Sequence, residues 1–205
     1  MINRHGLPSI GAVLFMMAGA WFISRPVSLA LALPLGFLFW FYRDPERRPP
    51  EDPSVWVSPA DGKVVEIQPM DDPVVGRCCK VGIFMSPLDV HVNRMPFQGE
   101  VFHLRYVPGR KWLAFEPKAS ENNERLYVGI RTPHGDAMLV QIAGLLARRI
   151  VAWAPVGSRF ARGERYGMIK LGSKVDLYLP VSVEPVVSLG QRVRAGETPV
   201  GVVKS

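Results

Sequence analysis

With 205 residues, the chain has room for one compact domain and a short appendage. Nineteen glycines and 19 prolines, in a chain that is 48% hydrophobic, favour many short strands joined by turns. The formal net charge of +7 raises the question of nucleic acid, but the aromatic residues lie in apolar runs, are not interleaved with a basic stripe, and accompany no nucleic-acid motif. No nucleic acid is therefore expected, and an anionic lipid surface is the simpler partner for the positive charge.

Leu7 to Ser24 is almost wholly apolar, Arg25-Pro26 interrupts the run, and Val27 to Tyr42 is apolar again. Arg43, Arg47, Arg48 and Pro49-Pro50 follow. As a helix the second run covers about 24 Å, against a hydrocarbon core of about 30 Å. A charge at the bilayer centre costs about 2.5–3.5 kcal/mol, so Arg25 should reach an interface. Arg4 before the first run and the Arg43–Arg48 cluster after the second place both ends on the cytoplasmic side. Residues 1–48 thus read as an apolar helical hairpin seated at the cytoplasmic face of the cell membrane. A cleaved secretory signal ending near Ala30-Leu31-Ala32 is disfavoured, because apolar sequence continues past it.

Residues 49–205 form the second expected domain, and here the pattern has period two. Lys63–Gln68, Lys80–Met85, Glu100–Tyr106, Leu126–Arg131, Ala137–Ile142, Lys174–Leu179 and Thr198–Val203 read as strands. Turns such as Pro108-Gly109, Pro133-His134-Gly135 and Pro155-Val156-Gly157 separate them. Cys78 and Cys79 are adjacent, a poor arrangement for a disulfide and too few for a metal site, so both read as reduced strand residues and no metal is expected. Gly157, Gly163-Glu164 and Gly167 are echoed by Gly190, Gly196-Glu197 and Gly201. Each set reads as strand, Gly-Glu turn, strand, as in small lipoyl-carrier sandwiches; two unrelated hairpins would look the same. The expected fold is mainly β, a compact sandwich or barrel-like domain with lipoyl-like hairpins behind the helical leader.

The chemistry concentrates at Gly172-Ser173. The serine hydroxyl is close to the preceding carbonyl carbon, and glycine puts no Cβ in the way of attack. Attack converts amide to ester. Elimination then leaves dehydroalanine, which hydrolyses to a pyruvoyl group and ammonia. Such cleavage needs a base for the Ser173 hydroxyl, an orienter for that base and a donor for the oxyanion on Gly172. Among four histidines, His5 precedes the leader, His103 alternates onto a polar strand face, and His134 sits in a Pro-His-Gly turn. His91 lies in an apolar stretch, where a partly buried imidazole can be tuned. Asp61 opens an Asp-Gly turn, and Asp89, two residues from His91, reads as a loop-shaping residue.

Four blocks in order carry a family resemblance: Val57-Ser58-Pro59-Ala60-Asp61-Gly62-Lys63-Val64, Met85-Ser86-Pro87-Leu88-Asp89-Val90-His91-Val92-Asn93-Arg94-Met95-Pro96, Lys118-Ala119-Ser120-Glu121-Asn122-Asn123-Glu124-Arg125, and Leu171-Gly172-Ser173. From about Arg43 to the end, the chain resembles the short form of the phosphatidylserine decarboxylase proenzymes. The resemblance implies cleavage between Gly172 and Ser173, with a large chain (1–172) and a small chain (173–205) staying together as a heterodimer, open to higher assembly. It implies a pyruvoyl cofactor made from Ser173, to which the substrate amine is joined as a Schiff base while carbon dioxide leaves. It makes His91 the base and Asp61 its orienter. Larger members carry a second histidine where this chain has Arg94, which leaves His91 alone and puts Arg94 where it could meet a phosphate or carboxylate. The implied substrate is phosphatidylserine in an anionic membrane, the product phosphatidylethanolamine. Two alternatives stand: a pyruvoyl decarboxylase of another lipid such as archaetidylserine, and a non-enzymatic, membrane-tethered lipoyl-like module in which Gly172-Ser173 is only a turn.

Overall fold

The computed structural model describes residues 1–109, 123–144, 150–169 and 173–204. The chain divides into two units, Met1–Glu46 and Arg47–Ser205. In the first, three apolar helices follow a 3-10 turn: α1 (Leu7–Ile23), α2 (Arg25–Ala30) and α3 (Ala32–Phe41). Pro8 and Pro26 stand in the first turns of α1 and α2, where a missing N–H costs no hydrogen bond. Extended Ser24 separates those two helices. From Arg4 to Ile23 the helix is long and apolar enough to cross a membrane, by length and composition. The unit closes on itself: Asn3 N donates to Tyr42 O at 2.9 Å and Asp44 N to Met1 O at 2.8 Å. Gly6 is needed there, because a Cβ would come within 2.3 Å of the Tyr42 ring. Arg25 lies at the turn of the hairpin, its guanidinium 5.5 Å from the Trp21 ring centre. Phe15 and Phe22 are 82% and 88% exposed, as suits helices that meet lipid on most sides.

The second unit is antiparallel β. An eight-stranded sheet runs β13 (Arg192–Val193), β2 (Gly62–Asp72), β3 (Gly76–Met85), β11 (Ser173–Pro180), β7 (Gly135–Ala143), β6 (Arg125–Thr132), β5 (Gly99–Val107), β9 (Arg159–Phe160). Two three-stranded sheets accompany it. One is β1 (Val55–Val57), β14 (Pro199–Val203), β12 (Val183–Pro185); the other is β4 (Val92–Arg94), β10 (Arg165–Ile169), β8 (Ile150–Ala152). Six of the seven expected strands lie within these elements, and the seventh, expected from Thr198, matches β14 from Pro199. Alternation explains the core: Val81, Ile83, Val128, Ile130, Leu139, Val175 and Leu177 leave the large sheet on one face and pack with Trp56, Tyr166 and Val200 of the small ones. Cys78 and Cys79 are free thiols on β3.

The strand order reads as the same plan from either edge, and the hydrogen bonds repeat accordingly. Gly190 N donates to Val64 O and Val64 N to Gln191 O; Gly157 N donates to Val101 O and Val101 N to Ser158 O. Gly196 N donates to Ser58 O, as Gly163 N does to Met95 O. The four turn glycines have φ of 87°, 78°, 87° and 75° at positions 157, 163, 190 and 196, where side chains are strained. β2 bulges between Val64 and Glu66, and β5 between Val101 and His103. At the centre, Val57 N→Pro96 O and Arg94 N→Pro59 O are reciprocal, both 2.9 Å. The domain is thus two similar halves about a pseudo-twofold axis between β11 and β7. The glycine echo in the sequence is the trace of this arrangement.

Candidate active site

Ser173 begins β11, a central strand paired with β3 on one side and β7 on the other. It is fully buried, opposite Met85 of β3 and Ala143 of β7. It shares the inward face with Val175 and Leu177, so its hydroxyl enters the core side of the sheet. There Ser173 Oγ meets Met85 Sδ at 3.4 Å. β3 ends at Met85, and a turn brings the chain to His91. Asp89 builds this turn: its Oδ2 accepts from Ser86 N at 2.8 Å and Ser86 Oγ at 2.7 Å, and its Oδ1 lies 3.2 Å from Arg192. Its carbonyl lies 2.9 Å from His91 Nδ1. A carbonyl only accepts, so Nδ1 carries the proton and, in the neutral ring, Nε2 keeps the lone pair. His91 is fully buried, and its own carbonyl accepts from Ile169 N at 3.3 Å. The histidine therefore holds the chain just ahead of the Gly-Ser bond, while β3 holds the residue just after it.

Gly172 itself lies outside the described residues, as do Lys118 to Asn122 of the third family block. Asp61 is buried, with Oδ2 accepting from Arg47 at 2.8 Å and Oδ1 from Ala195 N at 2.7 Å. The run 57–59 pairs antiparallel to 94–96, which carries Asp61 towards the residues next to His91. At the His91 ring, Nδ1 faces the Asp89 carbonyl. Arg94 is buried, and its guanidinium donates to Gly163 O at 2.9 Å while its Cδ packs beside Gly196. It ties the two Gly-Glu turns together. Arg47, which the sequence groups with Arg43 and Arg48 as a cluster expected at the membrane, instead pairs, partly buried, with Asp61 and Glu197, at 2.8 and 2.7 Å. His103 and His134 lie apart from this cluster, His103 along a groove on the other face of the large sheet and His134 in its turn against Phe97.

Two polar residues at the site had no signal in the sequence. Asn93 and Gln141 are both fully buried, with Gln141 Nε2 donating to Asn93 Oδ1 at 2.8 Å. Asn93 Nδ2 faces the same Met85 sulfur as Ser173 does, at 3.7 Å. On the opposite face of β11, Lys174 is buried between Glu66 and Asp176, at 2.5 and 3.0 Å, and Lys80 meets Glu66 at 2.6 Å. Burial raises Asp176 above the usual carboxylate range despite Lys174. Burial would raise Glu66 too, but hydrogen bonds from Lys174 and Lys80 outweigh it and hold that carboxyl below its range.

Ser173 and His91 are thus both fully buried, and the His91 carbonyl holds Ile169, four positions before Ser173. The family model described as Phosphatidylserine decarboxylase matches residues 35–201. A phosphatidylserine decarboxylase proenzyme from Symbiobacterium thermophilum is 44% identical over 98% of this chain and 95% of its own length. One from Syntrophus aciditrophicus is 41% identical over 98% and 96%, and one from Chlorobium luteolum 46% over 86% and 84%. The chain belongs to the phosphatidylserine decarboxylase family.

Proposed function

We propose that this protein decarboxylates phosphatidylserine to phosphatidylethanolamine, after cutting itself between Gly172 and Ser173 and converting Ser173 into a pyruvoyl group. The observation that carries this reading is the burial of Ser173 at the start of a central strand, with His91 bonded to the chain on the other side of the bond. The surroundings fit the group: ketone and methyl take no more room than serine, Met85 gives soft contact, and Asn93 presents an N–H. Once formed, the carbonyl supplies an electron sink for the charge left when carbon dioxide departs. His91 Nε2 takes the Ser173 hydroxyl proton during cleavage, and the same imidazole later returns a proton to the substrate carbon. Asp61, with Arg47 and Ala195, is the supporting carboxylate of this histidine's block. Arg94 is a weaker candidate for the substrate's phosphate or carboxylate, since its observed bond is to Gly163. The reading includes two chains, 1–172 and 173–205, that stay associated.

The substrate is a diacyl lipid that leaves a bilayer at great cost, so the site must come to the membrane. The exposed apolar leader supports attachment at the cytoplasmic face of the cell membrane. Headgroup recognition leaves ester and ether tails equally acceptable. Vesicles of phosphatidylserine labelled in the serine carboxyl test the proposal. The cut, full-length protein should release labelled carbon dioxide and leave phosphatidylethanolamine, and absence of both overturns the reading. Removing residues 1–42 should leave self-cleavage intact and lower the vesicle rate more than the rate on a short-chain, micellar analogue.

A further inference from the structure

We propose that Asn93 is the hydrogen-bond donor to the oxyanion formed at Gly172 during self-cleavage, and that Gln141 positions it. The inference rests on the self-cleavage reading and adds the missing third part, beside nucleophile and base. Asn93 Nδ2 and Ser173 Oγ converge on one sulfur, at 3.7 and 3.4 Å. A thioether is a weak acceptor, so this buried N–H is only loosely engaged before reaction. Gln141 Nε2 occupies Asn93 Oδ1, and this decides which end of the Asn93 amide faces the serine. Gln141 Oε1 has no hydrogen-bond partner among the described residues, although the residue is fully buried. Two buried amides satisfied this poorly cost the fold free energy.

The other half of the domain shows that the fold does not need them. Asn93 pairs with Gly167 as Trp56 pairs with Gly201. A Cβ on Gly167 would meet Gln141 Nε2 at 3.0 Å, and one on Gly201 would meet Leu179 Cδ1 at 3.3 Å. Trp56 and Leu179 thus stand where Asn93 and Gln141 stand, and they are plain core residues. The frame is sound with apolar side chains at these two places. Amides occupy them only in the copy that lies beside Ser173, around the Met85 sulfur.

In the step itself, Ser173 Oγ bonds to the Gly172 carbonyl carbon and its proton passes to His91. The carbonyl π pair moves onto oxygen, where the Asn93 N–H receives it. Collapse breaks the bond to the residue 173 nitrogen, which takes the proton back, leaving an ester and a free amine. A donor aimed at the developing charge accelerates this step most; the later elimination expels the Gly172 carboxylate, whose charge is already shared by two oxygens, and depends on that donor less.

The test is the first-order rate at which newly made chain becomes two, followed on denaturing gels, with and without hydroxylamine, which cuts an accumulated ester. Asn93→Asp keeps the shape and removes the N–H; Gln141→Leu installs the residue type of the other half and frees the Asn93 amide to turn. Losing one such donor typically lowers a rate about 10²–10³-fold. Both variants should slow to that extent, keep the parent's melting transition, and gain nothing from hydroxylamine. Normal cleavage in either stable variant overturns the proposal, as does rapid release of fragments by hydroxylamine, which would put the defect after the ester. If Asn93→Asp fails to fold, Gln141→Leu decides alone. A parent chain that never cuts overturns the self-cleavage reading and this one with it, whereas a cutting parent with normally cutting variants overturns this one only.

Discussion

The two halves of the β-domain part company at the end of their inner strand pairs. In one half β6 and β7 close through Thr132-Pro133-His134-Gly135: Thr132 is register partner of Gly135, Thr132 Oγ1 bonds Gly135 O at 2.7 Å, and φ of Gly135 is 114°. In the other half Met85 is the register partner of Ser173, but the chain leaves after Met85 and returns only at Ser173. The same frame therefore ends once in an ordinary hairpin and once in two strand ends with no hairpin between them. Reactivity is built on a repeated scaffold by withdrawing a turn and placing polar groups around the gap. This agrees with the way sites are grafted on folds whose remaining structure is indifferent to them.

The sharpest way to break this comparison is Ser173→Ala. It should abolish cleavage and decarboxylation together and leave a single 22.8 kDa chain by mass spectrometry. In the parent, the small fragment should be lighter than a serine-started peptide by one ammonia and closed to amino-terminal sequencing; an uncut, fully active parent would refute the scheme. Next in size, His91→Ala should slow cleavage about 10²–10⁴-fold, the usual range for general base catalysis. His134→Ala, in the intact hairpin of the other half, should leave the cleavage rate unchanged. Equal slowing in both would show that the halves are coupled and not divided by role. Asp61→Asn should harm cleavage more than Asp89→Asn, whose carboxylate builds a turn while its carbonyl, which the substitution keeps, orients the imidazole.

A third test concerns the buried cation. Asp176 faces Gly82 across the strands, where the other half sets Met138 against Gly129. Lys174→Met strands Asp176 and should cost about 3–5 kcal/mol in chemical denaturation of the Ser173→Ala protein. Adding Asp176→Leu should recover most of that, because the other half is apolar there. The pH dependence has a definite sign. Glu66 is held below its ordinary range when folded, so its contribution is present above that range and is lost as pH falls through the lowered value. Asp176 is raised, so its contribution is present below the ordinary aspartate range and fades as pH rises through the raised value. The smallest expected effect is symmetric. Gly157→Ala and Gly190→Ala would meet nothing closer than 3.7 Å, leaving only the left-handed backbone to resist. Each should cost about 1–2 kcal/mol, and a large difference between them would mark where the halves are unequal.

The long strands were legible because half-buried antiparallel strands alternate, and the leader because its helices are apolar without alternation. The proposed roles of Ser173 and His91 come from motifs confined to a few consecutive residues. β1, β4, β8 and β12 were not legible, being three residues long and defined by distant partners. Asn93 and Gln141 escaped for a related reason: they meet across 48 positions, and neither residue type stands out locally. Arg47 misled because charge beside an apolar run resembles a lipid-facing cluster, while its partners, Asp61 and Glu197, stand 14 and 150 positions away.

The placement of β11 has one more consequence. The bond to be cut opens onto a strand flanked on both sides, whose eight residues are all buried. The fragment beginning there would own an interior strand of a sheet whose other long strands belong to its partner. Before cutting, folding is a search by one chain within itself, and its success does not depend on dilution. After cutting, the same structure would be a knot tied from two threads, easy to keep and hard to retie once loosened. Maturation would thus record its own history: a molecule that has made its carbonyl group has also given up an easy return from the unfolded state.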